Sequence, residues 1–265
     1  MTDCRCSFRQ WKADNLSVEV YDNRITMGVA AAEQVSRKIK DIITEKGSVN
    51  MAFAAAPSQN EFLIELCNTR GLDWSKVMGF HLDEYIGLPE GAPQSFRRFL
   101  DENIFHKVDL GQVHYLNGNA KNLRSECDRY SRLLREHPLD IACIGIGENG
   151  HIAFNDPHVA DFRDPYWVKI VDLDKKCRQQ QVNDGCFPSI HNVPRKAVTL
   201  TIPAIMSARY IYCIVPGVTK QEAVKNTIEG PIDTTCPASI LRTHESARLI
   251  IDGDTSALLR DIANC

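Results

Sequence analysis

The feature that most limits what this chain can fold into is a short apolar run, Ile141-Ala142-Cys143-Ile144, which breaks at once into glycines and then a histidine. The run is far too short for a membrane span and is bounded by glycines, so it is expected to be a buried strand of a parallel sheet. Gly145-Ile146-Gly147-Glu148-Asn149-Gly150-His151 then leaves its C-terminal end. Glycines there let the backbone come close to a ligand. The C-terminal strand ends of an open α/β sheet face the ligand crevice. A histidine in that place, with Asp156 a few residues on, is positioned for proton transfer near neutral pH. The same residues also suit a plain turn around a hydrogen-bonded histidine, and on this motif alone the two readings balance. The glycines imitate the dinucleotide pattern G-x-G-x-x-G as well, but no helix start follows and the match is weak.

Around this stretch, strands and helices alternate. Strands are expected at 18–21, 50–56, 77–85, 113–116, 167–171, within 193–203, at 209–215 and at 247–251. Helices are expected at 28–46 (closed by Gly47), 61–68, from Ser95 toward His106, at 122–136, from Lys220 to 229, at 236–241 and at 255–263. The basic-polar run at 175–181 fits an exposed helix or one wall of an anion pocket, and the polar loop at 157–165 suits a lid. No repeat and no linker interrupts the pattern. The expectation is one α/β domain over residues 1–265, with a mostly parallel twisted sheet and helices on both faces, of Rossmann type.

Composition narrows the function. A net charge of -3 with no long run of one sign argues against a nucleic-acid binder. No stretch reaches membrane-span length, and the start carries no apolar signal segment. Ten cysteines are scattered without a C-x-x-C pair, which argues against a zinc ribbon and points to a reducing cytoplasm.

Three further places are candidates for chemistry. Ala54-Ala55-Ala56-Pro57-Ser58-Gln59 joins a strand to a helix start, where free N–H groups and the helix dipole favour an anion; close packing of alanines explains it equally. Asp83 and Glu84 end a strand, and since successive side chains alternate, only one enters the site. Lys220 lies in the first turn of a helix, against the dipole preference, which a bound phosphate would relieve; a solvated lysine is the plainer reading.

Taken in order, Leu82-Asp83-Glu84-Tyr85-Ile86-Gly87-Leu88-Pro89, the glycine-histidine stretch through Asp156-Pro157, Val193-Pro194, Gly217-Val218-Thr219-Lys220 and Ile228-Glu229-Gly230 resemble the glucosamine-6-phosphate deaminase/isomerase (NagB) family, which shares its fold with 6-phosphogluconolactonases. The resemblance runs from about residue 20 to 252. It implies conversion of glucosamine 6-phosphate and water to fructose 6-phosphate and ammonium, in amino-sugar catabolism, with no cofactor and no metal. It also implies roles. Asp83 moves a proton from C2 to C1, and His151 opens the sugar ring. Lys220 holds the phosphate, with the backbone of Ala55 and Ala56 and the hydroxyl of Ser58.

Two departures stand out. Asn149 and Asp156 occupy positions where the family's type pattern has aspartate and glutamate, so Asn149 can only orient His151 by a hydrogen bond. The shorter Asp156 needs a closer backbone or a bridging water. The family's phosphate arginine has no match at Gly185-Cys186-Phe187, and Arg178 is the nearest candidate. The alternatives are another hexosamine phosphate such as galactosamine 6-phosphate, a lactone hydrolase, and a sugar-phosphate sensor without turnover. The partners expected are thus a small amino-sugar phosphate and, as one option in the family, further copies of the chain; neither nucleic acid nor membrane is expected.

Overall fold

The computed structural model describes residues 7–260. The chain opens with a hairpin, β1 (Ser7–Ala13) and β2 (Leu16–Tyr21), followed by α1 (Arg24–Lys46). Asn23 caps α1 by accepting from the N–H groups of Ile25 and Thr26, and Thr26 returns the contact, a capping box. Gly47 closes it in the left-handed conformation at φ 86°, as glycine after a helix should. Then come β3 (Val49–Phe53), α2 (Asn60–Asn68), β4 (Val77–His81), β5 (Asp83–Tyr85), α3 (Phe96–Leu100), β6 (Gln112–His114) and α4 (Leu123–Glu136). The second half holds β7 (Ile141–Ile144), β8 (Val168–Asp172), α5 (Lys175–Asn183), β9 (Lys196–Leu200), α6 (Ile202–Met206), β10 (Tyr210–Val215), α7 (Gln221–Glu229) and β11 (Ala247–Asp252).

Eight strands form one sheet in the order β1-β2-β11-β10-β7-β3-β4-β6. Only the β1–β2 pair is antiparallel. The central strands are apolar on both faces because both faces are covered. Ala142 and Ile144 of β7 join a core with Tyr130 and Leu134 of α4. The alternate residues Ile141 and Cys143 join a second core with Met27, Val35 and Ile39 of α1. From β3 the chain steps outward through β4 to β6, then returns to the other side of β3 as β7 and steps away through β10 to β11. The boundary between β3 and β7 is therefore the point where the strand order reverses, the place where such sheets bind ligands.

Several expectations needed correction. The stretch 77–85 is not one strand. It breaks at Leu82, and β5 leaves the main sheet to pair with β9 in a separate antiparallel sheet, β5-β9-β8. Residues 202–206 form a helix rather than the end of a strand, since Thr201 caps it by accepting from Ala204 N–H, and Pro203 is tolerated in a first turn. The helix expected at 255–263 is a single 3-10 turn over Thr255–Leu258, and residues 261–263 lie outside the described part. β1 was not anticipated. Among the described residues no helix is long and apolar enough to cross a membrane.

Candidate active site

A cleft of about 260 Å³ opens at the strand ends beside the reversal point, room for one small metabolite. Its walls are the turns after β3, β7 and β10, the start of β5, and one face of α5.

Asp83 enters the cleft from the first position of β5. Its neighbour Glu84 turns away and accepts from the N–H groups of Tyr85 (2.8 Å), Phe96 (3.2 Å) and Arg97 (2.9 Å). A carboxylate at the start of α3 is favoured by the helix dipole. Strand alternation thus separates the two acids as expected. No described group pairs with the Asp83 carboxyl. Burial, and next the charge of Glu84, hold it well above the usual carboxylate range.

His151 opens onto the same cleft. Its ring lies over Gly147, where a Cβ would overlap the imidazole, so only glycine fits. Gly150 turns the chain at φ 83°. The loop is tied to β9, because Phe154 N–H donates to Thr199 Oγ1 (3.1 Å) and Asn155 Nδ2 donates to Leu200 O (2.8 Å).

The polar partners of His151 determine its tautomer. Asn149 Nδ2 donates to Asp156 Oδ1 (2.9 Å) and to Asp174 Oδ2 (3.0 Å). Both amide hydrogens are spent, so Asn149 Oδ1 can only accept. It accepts from the His151 backbone N–H (3.2 Å) and lies 2.7 Å from His151 Nδ1. Asp156 Oδ1 is 3.1 Å from the same nitrogen. Nδ1 therefore carries the proton, and Nε2 is left as the base. Asp156 reaches His151 directly, without the bridging water allowed for. Burial by itself would raise the Asp156 carboxyl, but the contacts from His151, Asn149 and the Asp174 N–H outweigh it and hold the group below its usual range. Asp174, at the cap of α5, is a second carboxylate in this network and was not singled out from sequence.

The same cleft also carries a cationic side chain, Lys220. Ala55, Ala56 and Ser58 line it. The N–H groups of Ala55 and Ala56 are taken up by neither the sheet nor the turn. Lys220 lies in the 3-10 turn that precedes α7 and is 6% exposed. Burial lowers its pKa, partly offset by Asp184 and Glu148. Gly217, at φ 98°, lets this turn form, and its N–H donates to Asp252 at the end of β11 (3.1 Å).

Arg178 does not belong to the cleft. Its Nη2 donates to Ile190 O (2.5 Å) and Val193 O (2.9 Å), so the guanidinium ties α5 to the following loop on another surface. The arginine that does line the cleft is Arg24, at the start of α1, held by Glu61 (2.7 and 2.9 Å). A cation in a first helical turn was the very feature that singled out Lys220, and it could have found Arg24 too. Asp184 was missed, whereas Gln180 and Gln181 belong to the 175–181 run read as a possible pocket wall. α5 does wall the pocket, but with glutamines; its lysines 175 and 176 face solvent.

Comparison with known proteins identifies the family. Residues 22–251 match the family described as glucosamine-6-phosphate isomerases/6-phosphogluconolactonase. The chain belongs to that family. It is 35% identical over 227 residues to a glucosamine-6-phosphate deaminase of Listeria monocytogenes, covering 84% of this chain and 95% of the relative. Over 245 residues it is 31% identical to the deaminase of Lactobacillus delbrueckii subsp. bulgaricus, covering 92% and 100%. A solved structure described as a monomeric glucosamine-6-phosphate deaminase superposes with a TM-score of 0.82 at 30% identity, over 91% of this chain and 99% of that one. A 6-phosphogluconolactonase from Thermotoga maritima, 20% identical over 89% of this chain and 98% of its own, shares the fold with a TM-score of 0.72.

Proposed function

We propose that this protein is a glucosamine-6-phosphate deaminase, which converts that sugar phosphate and water to fructose 6-phosphate and ammonium. The observation that carries the reading is that Asp83, His151 and Lys220, from three distant parts of the chain, open onto one cleft.

In this reading Lys220, the N–H groups of Ala55 and Ala56, and Ser58 hold the phosphate. His151 Nε2 takes the proton of the C1 hydroxyl and delivers it to the ring oxygen, which frees the C1 aldehyde. That carbonyl acidifies C2. Asp83 then removes the C2 proton and returns it to C1 while one proton of the C2 ammonium passes to O1, leaving an iminium at C2. Water adds to the iminium carbon and ammonia departs as ammonium. A carboxyl held above its usual range is a stronger base than an ordinary one, which suits proton abstraction from carbon. Asn149 and Asp156 keep the His151 proton on Nδ1. A lactone hydrolase would have no use for a C2 base, and the solved lactonases share the fold without sharing close sequence.

Asp83, His151 and Lys220 all come from one chain. The seven free thiols among the described residues fit a reducing cytoplasm. The test is a turnover screen over hexosamine 6-phosphates without added metal, with products identified by NMR. Ammonium and a ketose phosphate are expected, with glucosamine 6-phosphate preferred over galactosamine 6-phosphate. Absence of ammonium from every substrate overturns the reading.

A further inference from the structure

Cys177 sits in the first turn of α5 and is 1% exposed. The mechanism above gives it no task. Its Sγ, a carboxylate oxygen of Asp156 and a ring nitrogen of His151 all lie within 4.8 Å of one another, and all three residues are buried. The sequence showed no ligand set for a metal, because this thiol stands on a different element from the His151 loop. Folding assembles one.

Thiolate, imidazole and carboxylate are the donors that zinc prefers, and three protein ligands with one open position are a known zinc arrangement. Bonds of about 2.0–2.3 Å put tetrahedral donors roughly 3.3–3.8 Å apart. His151 Nδ1 and Asp156 Oδ1 are already 3.1 Å apart, and the thiol sulfur lies within 4.8 Å of a donor atom of each residue. Of the three residues only His151 lines the cleft, so an ion held here acts on the sugar site through that ring.

We propose that His151, Asp156 and Cys177 form a binding site for a divalent zinc-like cation, and that occupation of this site switches the enzyme off. The ion takes the Nδ1 lone pair, so the imidazole proton moves to Nε2. The nitrogen that must act as base is then blocked. The thiol gives up its proton, so one proton leaves per ion bound, and Asp156 is ionised beforehand. Without a metal the thiol stays protonated, since burial and then the charges of Asp156 and Asp174 push it well up. That makes it a poor nucleophile and a poor redox sensor, whereas a coordinating metal displaces a thiol proton outright. A second donor set, Asp156, His158 and Asp174, abuts the first and shares Asp156. It lacks sulfur, and its Asp174 already caps α5 and holds Asn149.

The inhibition rests on the deaminase reading, whereas the metal site does not, and the experiment separates them. Full-length protein stripped with a chelator is titrated with Co²⁺ alone. A thiolate-to-cobalt charge-transfer band in the near ultraviolet is expected at one ion per chain, and is absent in Cys177→Ser. That variant keeps the side chain's size and a hydroxyl beside Asp156, and its fold is checked by circular dichroism. Its zinc affinity, read by competition with a chromophoric chelator, falls at least about 100-fold, since loss of outer partners alone costs about 10–100-fold. His158→Ala leaves band and affinity unchanged. In the turnover assay zinc inhibits the wild type, a chelator restores it, and Cys177→Ser resists. A band that survives Cys177→Ser, metal lost in His158→Ala, or equal zinc inhibition of wild type and Cys177→Ser each overturns the proposal. Should the protein turn over no hexosamine phosphate, the cobalt band still decides the metal site.

Discussion

His151 Nδ1 lies 2.7 Å from the side-chain oxygen of Asn149, and the amide that carries this oxygen is locked by Asp156 and Asp174 on its nitrogen. An amide cannot supply charge, but one whose two hydrogens are spoken for can fix a tautomer. Asp174 is therefore a positioning residue. Asp174→Ser keeps a good helix cap and frees the amide to flip. Turnover should fall about 10-fold or more with the melting temperature nearly unchanged. Nitrogen-15 NMR of the histidine should show His151 protonated on Nδ1 in the wild type and mixed in the variant. An unchanged tautomer and rate would remove Asp174 from the network.

Asp83→Asn keeps the shape of the side chain and removes the base. The rate should drop by about 10²–10⁴-fold, while a non-reacting hexitol phosphate binds within a few-fold of wild type by calorimetry. Proton exchange at C2 in deuterated water should vanish with turnover.

Lys220→Met should raise KM about 10- to 100-fold, as a charge-assisted contact to phosphate contributes about 1.5–3 kcal/mol. Competition by inorganic phosphate should be lost in parallel. A variant that only lowers kcat would place the phosphate elsewhere.

The pH profile of kcat/KM should be bell-shaped and narrow. Asp83 works ionised, and its pKa is raised by burial and Glu84, so activity falls as pH drops through that raised value. Lys220 works charged, and burial lowers its pKa, so activity falls on the alkaline side earlier than an ordinary lysine would dictate. Asp83→Asn should remove the acid limb from its residual rate.

His81, fully buried on β4, has no hydrogen-bond partner for either ring nitrogen. Burial, and next Arg97, lower its pKa from the ordinary 6.5 to about 3. A depressed histidine contributes stability that is complete above 6.5 and is lost as pH falls toward 3. The full swing is worth about 4–5 kcal/mol. His81→Phe should leave stability at pH 7 equal or higher, because it removes unpaired polar atoms. The acid-unfolding midpoint should move to lower pH, measured by circular dichroism.

The sequence by itself determined most of the alternation of strands and helices and pointed to three groups that meet in the cleft. Alternating or helical spacing and Gly47 as a stop are local features, and local chemistry settles them. The acid at 83, the histidine at 151 and the lysine at 220 were each legible as candidates that follow a strand, and the family resemblance is what joined them in one site. Only the tertiary structure decided the break at Leu82, the separate β5-β9-β8 sheet, the diversion of Arg178, and the entry of Arg24, Gln180, Asp174 and Cys177. Each of these depends on which backbone carbonyl or carboxylate arrives from a remote element to claim a donor. Spacing along the chain carries no record of that choice, whereas a folded interior must satisfy nearly every such group.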